Sequence, residues 1–341
     1  MANSWFSQHI INTRLKEGNS FLDSIDNFIN WDSLLSILRL VHLRDTTKLG
    51  RKSYSKEVML KALLLQQWYI LSDVELEHSL RDRLSFIRFC GLTLEESVPD
   101  HSTICRFRNK LISKGLHSQI LAEVNRQIEM IGISIKSGSV VDASLIRAHS
   151  RPNRKEYIDV EPTGDEEQSC ERSAPELTRE ESKDPDARWI KKGKKSVYGF
   201  KANVSVDIIT GLVQHIITTP ANIHDVRSFP QLIEELDLDE GSSVLADKGY
   251  SSTANRKLVR AKKLKSGIMF KRYKNDILRN IKTRFNRVVS KSRYIVEQTF
   301  GCLHKHYGFG RTQYVGLART DYSLTMRCTA FNLKKAVKLK L

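Results

Sequence analysis

The spacing of apolar residues changes once along this chain, at Gly132, and that change limits the folds open to it. Before Gly132, apolar residues recur at helical spacing, as in the segment 55–70. After it, the β-branched run at 139–146 is typical of a buried strand. The pattern predicts an all-α N-terminal domain over residues 1–131 and an α/β domain over residues 132–341.

Polar residues that cap helices precede several of the predicted N-terminal helices. Ser55 stands before one apolar run, and Ser72 or Asp73 stands before the next. Further on, either Asp100 or Ser102 can cap a basic amphipathic helix. Such side chains satisfy backbone N–H groups that have no partner within the helix, so they mark where three helices begin.

The second region alternates strands with helices. Two β-branched runs flank Thr210-Gly211 and predict a β-hairpin. The predicted order is strand, strand, strand, helix, strand, helix, strand, helix. The helices are expected at 225–236, 251–264 and 276–305. Hairpins followed by crossover connections indicate a mixed sheet flanked by helices.

A polar segment, residues 151–190, separates the first strand from the hairpin. It contains four prolines, and from 156 to 186 it has twelve acidic residues against three basic ones. Such a composition buries too little apolar surface to offset the entropy lost on ordering. We therefore expect an acidic, disordered insertion within the α/β domain.

The rest of the chain is strongly basic. Lysine and arginine number 56 against 39 acidic residues, which gives a formal net charge of +17. The only acids after Ser251 are Asp276, Glu297 and Asp321. This charge favours a nucleic acid as the partner, and a basic protein with no polyanionic partner is the alternative.

Several classes of protein are excluded by composition. The chain has no run of about 18 apolar residues, as a membrane span requires, and its N-terminus does not have the pattern of a signal peptide. Its five cysteines form no CxxC pair, which argues against a zinc finger and a disulfide scaffold. We expect a cytoplasmic, nucleoid-associated protein with reduced thiols and no membrane contact.

Three acidic residues occupy unusual positions. Asp142 lies inside an apolar strand, Asp247 ends another, and Glu297 lies in the last predicted helix. A buried carboxylate is costly unless it is paired, protonated or bound to a metal, and acids at strand ends project into the crevice where ligands bind. Each also has a simpler explanation: the aspartates can cap turns, and Glu297 can pair with Arg293 one turn earlier.

Three converging carboxylates in a basic protein suit hard cations. Mg²⁺ takes oxygen ligands and bridges to phosphate, and Mn²⁺ is able to substitute for it. Two such ions about 3.5–4 Å apart stabilise both the attacking and the leaving oxygen of a displacement at phosphorus. The chain has no GxSxG, catalytic Cys-His or P-loop pattern. We therefore expect phosphoryl transfer with two metal ions held by Asp142, Asp247 and Glu297.

Ordered sequence blocks along most of the chain carry a family resemblance. The N-terminal blocks are residues 63–92 and 99–111, and the C-terminal blocks are residues 141–148, 198–207, 219–225, 246–250 and 293–308. Together they resemble the DDE transposases of bacterial insertion sequences, of the kind in insertion-sequence family five. The resemblance implies an RNase H-like catalytic domain with Asp142, Asp247 and Glu297 as the triad, a DNA-binding N-terminal domain and assembly as a homo-oligomer on DNA.

One signature of these relatives is only partly present. They often carry Tyr-x2-Arg-x3-Glu-x6-Lys around the glutamate, and here Arg293 and Glu297 fit that pattern. Ser290 stands at the tyrosine position, and His304, followed by Lys305, stands at the lysine position. We expect Arg293, His304 and Lys305 to contact the phosphates of transposon ends.

The basic helix after Asp100 is a candidate for DNA recognition. Thr103, Arg106, Arg108 and Lys110 alternate there with apolar residues. The helix either enters a major groove or packs with a solvated basic face, and the sequence leaves both open.

Further DNA contacts are predicted within the catalytic blocks. His224 opens a helix, Lys248 adjoins Asp247, and Lys201 lies in the hairpin. The basic stretch 251–292 suits a groove that follows the phosphate backbone.

The sequence as a whole predicts a transposase that cuts the ends of an insertion sequence and joins them to target DNA. An RNase H-like endonuclease without transposition, or an inactive DNA-binding derivative, is the alternative.

Overall fold

A computed structural model describes Thr13 and residues 21–41, 53–150, 184–193, 195–272 and 276–340. Most of the insertion predicted at 151–190, namely residues 151–183, lies outside the described residues. The end of that prediction is wrong, because a strand begins at Arg188.

The N-terminal region is helical, as predicted. Within the described residues, seven α-helices precede Gly132: α1 (Phe21–Phe28), α2 (Trp31–Ile37), α3 (Lys56–Tyr69), α4 (Asp73–Asp82), α5 (Leu84–Cys90), α6 (His101–Ser113) and α7 (Leu116–Met130). Their apolar faces form one core that continues into the sheet described below.

Side-chain caps begin three of these helices where the sequence predicts them. The Ser55 hydroxyl accepts a hydrogen bond at the start of α3. Ser72 and Glu75 form a reciprocal capping box at the start of α4. At the start of α6, the Asp100 carboxylate accepts a hydrogen bond from the Thr103 N–H at 2.7 Å. These caps confirm the predicted helix starts.

Six strands form one mixed sheet in the described part of the chain: β1 (Gly138–Arg147), β2 (Arg188–Lys192), β3 (Lys195–Asp207), β4 (Val213–Pro220), β5 (Ser243–Ala246) and β6 (Lys265–Ile268). Strand β3 lies antiparallel to β1, β2 and β4, whereas β5 and β6 continue parallel to β1. The path β4-β3-β1-β5-β6 is the RNase H-like arrangement. The predicted mixed sheet flanked by helices is confirmed.

The later helices lie around this sheet: α8 (Asp225–Glu234), α9 (Thr253–Ala261), α10 (Arg279–Ser292), α11 (Tyr294–Tyr307) and α12 (Leu317–Lys340). The single helix predicted for 276–305 is wrong, because the structure divides it at Arg293. There the Arg293 N–H bonds to the Ser290 carbonyl, three residues back, so the α-helical ladder is interrupted.

Helix α12 is not predicted by the sequence pattern, whose last predicted element ends at residue 305. It packs against α1, α3, α7 and β4, and so joins the helical region to the sheet. Its apolar pattern is broken by buried polar residues that find distant partners. The Asn332 side chain bonds to the Val213 backbone and to Asn125, and Arg327 donates to the Gly308 carbonyl.

The described residues include no membrane-spanning helix and no disulfide. None of the helices in the described ranges combines the length and the apolar character needed to cross a bilayer. The four cysteines within those ranges are free thiols: Cys90, Cys105, Cys302 and Cys328.

The cap of α6 generates a stability prediction. Replacing Asp100 with alanine removes the acceptor for the Thr103 N–H. We expect the free energy of unfolding to fall by about 1 kcal/mol, measured as a lower midpoint in urea denaturation. Asp100→Asn keeps an acceptor oxygen and should recover most of that loss. An alanine variant as stable as the wild type would contradict this role.

The same cap predicts a pH dependence. Hydrogen bonds from Ser102 and Thr103 lower the pKa of Asp100 to about 2, from an ordinary value of 3.8. The carboxylate's contribution is therefore complete above pH 3.8 and is lost as the pH falls through about 2. The stability gap between the wild type and Asp100→Asn should shrink over that range.

Candidate active site

The register of two parallel strands brings two of the three predicted catalytic acids together. Strand β1 pairs with β5 so that Val141 lies opposite Ala246. The next residues are Asp142, within β1, and Asp247, directly after β5, which therefore lie side by side where the pairing of the two strands ends. This is the edge of an α/β sheet at which ligands bind.

Arg293 bridges the two aspartates. Its Nη2 donates to Asp142 Oδ2 at 2.6 Å, and its Nη1 lies 3.6 Å from Asp247 Oδ1. The Arg293 side chain is only 15% exposed, so its charge is removed from solvent and balanced by the carboxylates. The alternative in which Arg293 pairs with Glu297 is wrong, because the guanidinium points at the aspartates.

The charges of this cluster shift its pKa values. Burial raises the pKa of Asp142 above its ordinary value, while the charge of Arg293 and a hydrogen bond from the Ala143 N–H oppose that rise. For Arg293, burial acts to lower the pKa, but Asp142, Asp247 and Glu297 outweigh it and the net pKa is raised. Arg293 is therefore a permanent cation at this position.

Glu297 stands apart from the aspartate pair. It is exposed on α11, one turn after Arg293, and α11 packs against β1. No set of three or more acidic, histidine or cysteine side chains within the described ranges is already gathered closely enough to hold a metal. The structure thus joins Asp142 and Asp247 around Arg293 and leaves the third predicted ligand on the neighbouring helix.

The donors fit a divalent cation in chemical type. Asp142 and Asp247 offer carboxylate oxygens, which hard cations prefer, and a positive charge already lies between them. Both Asp142 oxygens are engaged, Oδ1 by the Ala143 N–H at 2.9 Å and Oδ2 by Arg293. Asp247 Oδ1 accepts from the Lys248 N–H at 2.6 Å. A metal that binds Asp142 through Oδ2 would therefore compete with the guanidinium for that oxygen.

A second ion pair supports the loop that carries Asp247. Lys201 donates to Asp225 Oδ1 at 2.8 Å and to the Ile223 carbonyl at 2.7 Å. Asp225 faces Gly249, where a side-chain Cβ would lie 3.1 Å from Asp225 Oδ2. The glycine therefore allows the loop after Asp247 to approach α8 closely.

This ion pair corrects one prediction. Lys201 is 7% exposed and has internal partners, so its prediction as a DNA contact is wrong. Asp225, the first residue of α8, is its ion-pair partner. The sequence does not distinguish a strand lysine that is buried and paired with an acid from one that is exposed and free to contact DNA.

The remaining predicted contacts near the site are exposed. His224 precedes α8, Lys248 follows Asp247, and Lys305 lies on α11. His304 is also exposed, and its Nε2 lies 2.9 Å from the Ser144 hydroxyl on β1. Partial burial lowers the pKa of His304, which favours the neutral ring. These side chains are accessible to a ligand that lies across Asp142 and Asp247.

The four DNA contacts predicted on the basic helix α6 differ in their exposure to solvent. Arg106 and Lys110 are exposed and Thr103 is half-buried. Arg108 is 3% exposed and bonds to Asp73 and to the Tyr314 hydroxyl, each at 2.5 Å. The prediction that Arg108 contacts DNA is therefore wrong, because it joins α6 to α4 and to the segment before α12.

Comparison with known proteins identifies the family to which this chain is similar. Residues 133–333 match the transposase DDE domain family, and residues 10–110 match a second transposase domain family (DUF772). The transposase for insertion sequence element IS1106 of Neisseria meningitidis serogroup B is 36% identical over 233 residues, which cover 68% of this chain and 76% of that protein.

Solved structures show a weaker likeness. A piggyBac transposase synaptic complex with hairpin DNA matches with a TM-score of 0.45 and 11% identity, over 93% of this chain and 72% of that one. A Mos1 transposase paired-end complex matches with a TM-score of 0.21 and 9% identity, over 82% of this chain and 87% of that one. Likeness at this level transfers no residue role. On the match of both its regions and on its 36% identical relative, the chain belongs to the DDE transposases of insertion sequences.

Proposed function

We propose that this transposase cuts the ends of its insertion sequence and joins them to target DNA by metal-dependent phosphoryl transfer. The observation that carries the proposal is the Asp142–Arg293–Asp247 cluster, formed where the pairing of β1 with β5 ends. Two carboxylates kept together around a single cation, in a chain of net charge +17, suit the binding of cations and of phosphate.

Divalent metal dependence follows from the family, and the identity of the metal is part of the proposal. We propose two Mg²⁺ ions, with Mn²⁺ able to substitute, held by Asp142, Asp247 and Glu297. When bound, they would lower the pKa of the attacking water or hydroxyl and stabilise charge on the leaving oxygen. Arg293 would leave Asp142 and turn to a phosphate.

The chemistry has two steps. In the first, a water oxygen bonds to phosphorus at the transposon end, the P–O3′ bond breaks, and the leaving oxygen takes a proton to give a 3′-hydroxyl. In the second, that oxygen loses its proton and bonds to a phosphorus of the target, whose own 3′-oxygen leaves. The exposed His224 and Lys248 beside the carboxylates would position the phosphates.

DNA recognition is proposed for the helical N-terminal domain, residues 1–131, which would bind the inverted-repeat ends. Its exposed Arg106 and Lys110, beside Thr103, present positive charge on α6. His304 and Lys305 on α11 would hold the same DNA near the catalytic domain, residues 132–341. Because two ends must be held together, we propose a homo-oligomer on DNA, acting on the nucleoid in the cytoplasm.

The alternative of a nuclease without transposition is not favoured, because both regions of the chain match transposase families. Strand transfer separates the two. A transposase joins a labelled 3′-end to target DNA, whereas a nuclease only releases it.

The catalytic assignment predicts the effect of three isosteric changes. Asp142→Asn, Asp247→Asn and Glu297→Gln should each reduce cleavage of a transposon end in Mg²⁺ by at least about 10³-fold, since each removes a charged metal ligand from a unit that acts together. DNA binding, measured by gel shift, should remain close to wild type. A variant that still cleaves near the wild-type rate would remove that residue from the triad.

The contact between Arg293 and the aspartates predicts that the guanidinium competes with a metal ion for the carboxylates. In Arg293→Ala the aspartates lose their cation, so the metal-free protein should be less stable by about 1–3 kcal/mol. The Mg²⁺ concentration at which the melting temperature begins to rise should then be about tenfold lower than in the wild type.

The control for this competition is Arg284→Ala. Arg284 is an exposed arginine of α10 and has no ion-pair partner among the described residues. Its replacement should leave the Mg²⁺ response unchanged. An unchanged Mg²⁺ requirement in Arg293→Ala would show that the guanidinium does not compete with the ion.

The exposed face of α6 predicts a salt effect. Arg106→Ala with Lys110→Ala should weaken binding to transposon ends and flatten the dependence of log Kd on log salt by about 1.8, since each lost duplex phosphate contact changes the slope by about 0.9. The matched control is Arg81→Ala with Arg126→Ala, two exposed arginines already paired with Glu77 and Glu123. Equal slopes in both double variants would leave α6 as a packing helix only.

A further inference from the structure

A basic cleft opens beside the catalytic aspartates. It lies between the segment that follows β6 and helix α10, and its volume is about 690 Å³. Its lining residues are Asp247, Lys248, Met269, Phe270, Lys271, Arg272, Thr283, Asn286 and Arg287. Asp247 is shared with the catalytic pair, so a chain that occupies the cleft passes directly into the active site.

Four cations line this cleft without a balancing charge. Lys248, Lys271, Arg272 and Arg287 are exposed, and none has an ion-pair partner within the residues that the structure describes. The only acid in the lining is Asp247, which faces Arg293. Such an unbalanced cleft attracts a polyanion and concentrates it next to the catalytic carboxylates.

The described wall of the cleft is fixed, and the aromatic ring in it already has partners. The Asn286 amide accepts from the Phe270 N–H at 2.8 Å and donates to the Phe270 carbonyl at 2.9 Å, so α10 holds this segment in place. The Phe270 ring lies against Arg256 at 4.0 Å and meets Phe285 edge-on at 5.3 Å. Because this ring is half-buried and has a cation over its face, the described part of the cleft suits the phosphate backbone better than the stacking of bases.

The position of the cleft separates it from the helical region. Strand β6 forms one edge of the sheet, whereas α7 packs on β4 at the other side, where Asn125 bonds to the Val213 and Gln214 carbonyls. Asp142 lies on β1, between the two. On the proposed function, a DNA strand held by the helical region and cut at Asp142 would continue toward the cleft.

We infer that this cleft binds the phosphate backbone of the DNA that flanks the element, on the outer side of the cut. The inference rests on the proposed function. Flanking DNA differs from one insertion to the next, so its binding must depend on phosphate contacts rather than base contacts. The cleft supplies such contacts, through four cations and the Thr283 hydroxyl.

The test compares two duplexes, one with the transposon end followed by flanking DNA and one with the same end and no flank. Binding is measured in EDTA, so that no cutting occurs, as a function of salt. The wild type should bind the flanked duplex more tightly and with a steeper salt dependence. In Arg272→Ala with Arg287→Ala that advantage should disappear, with the slope for the flanked duplex flatter by about 1.8.

The matched control is Lys257→Ala with Arg260→Ala. These are two exposed cations of α9 that do not line the cleft, so the advantage of the flanked duplex should persist. Equal weakening of both duplexes by Arg272→Ala with Arg287→Ala, or no effect on either, would overturn the inference.

Failure of the proposed function would look different. A wild-type protein that neither cuts nor joins DNA in Mg²⁺ would contradict the proposed function, whereas the binding comparison is made without metal. A wild type that cuts and joins, with a double variant that keeps its preference for flanked DNA, would reject the cleft alone.

Discussion

The contact between Arg293 and the two aspartates is the interaction on which this account depends. Asp142 is held in a partly buried position that would be costly for an unpaired carboxylate. Arg293 offsets part of that cost. The same contact keeps the two carboxylates together, so the aspartate pair is formed by the protein's own residues. On the proposed function, the protein would exchange this cation for a metal cation when it becomes active.

Three features of the fold place this cluster. The register of β1 and β5 aligns the aspartates. The interruption between α10 and α11 puts Arg293 at a helix junction, from which its side chain reaches both acids. The Lys201–Asp225 pair and the close approach at Gly249 support the loop that carries Asp247. Helix α10 also contributes Thr283, Asn286 and Arg287 to the neighbouring cleft, so DNA bound there would contact the helix that ends at this junction.

Much of the fold could be predicted from the sequence because its signals are local. The caps at Ser55, Ser72 and Asp100 and the β-branched run around Asp142 depend on nearby residues, and each prediction agrees with the structure. The errors concern long-range partners. The sequence around Arg108 is that of a surface cation, but in the fold Arg108 is buried and bonded to Asp73 and Tyr314. Lys201, the partners of Arg293 and the polar residues of α12 depend in the same way on contacts that only the fold creates.

The most direct test of the central claim is anomalous scattering from Mn²⁺ in DNA-free crystals of the wild type and of Arg293→Ala, soaked at the same limiting Mn²⁺ concentration. The account predicts a manganese peak at Asp142 and Asp247 in the variant. In the wild type it predicts guanidinium density at that position and little manganese. Peaks of equal height in both crystals, with Arg293 still bonded to Asp142 in the wild type, would contradict it.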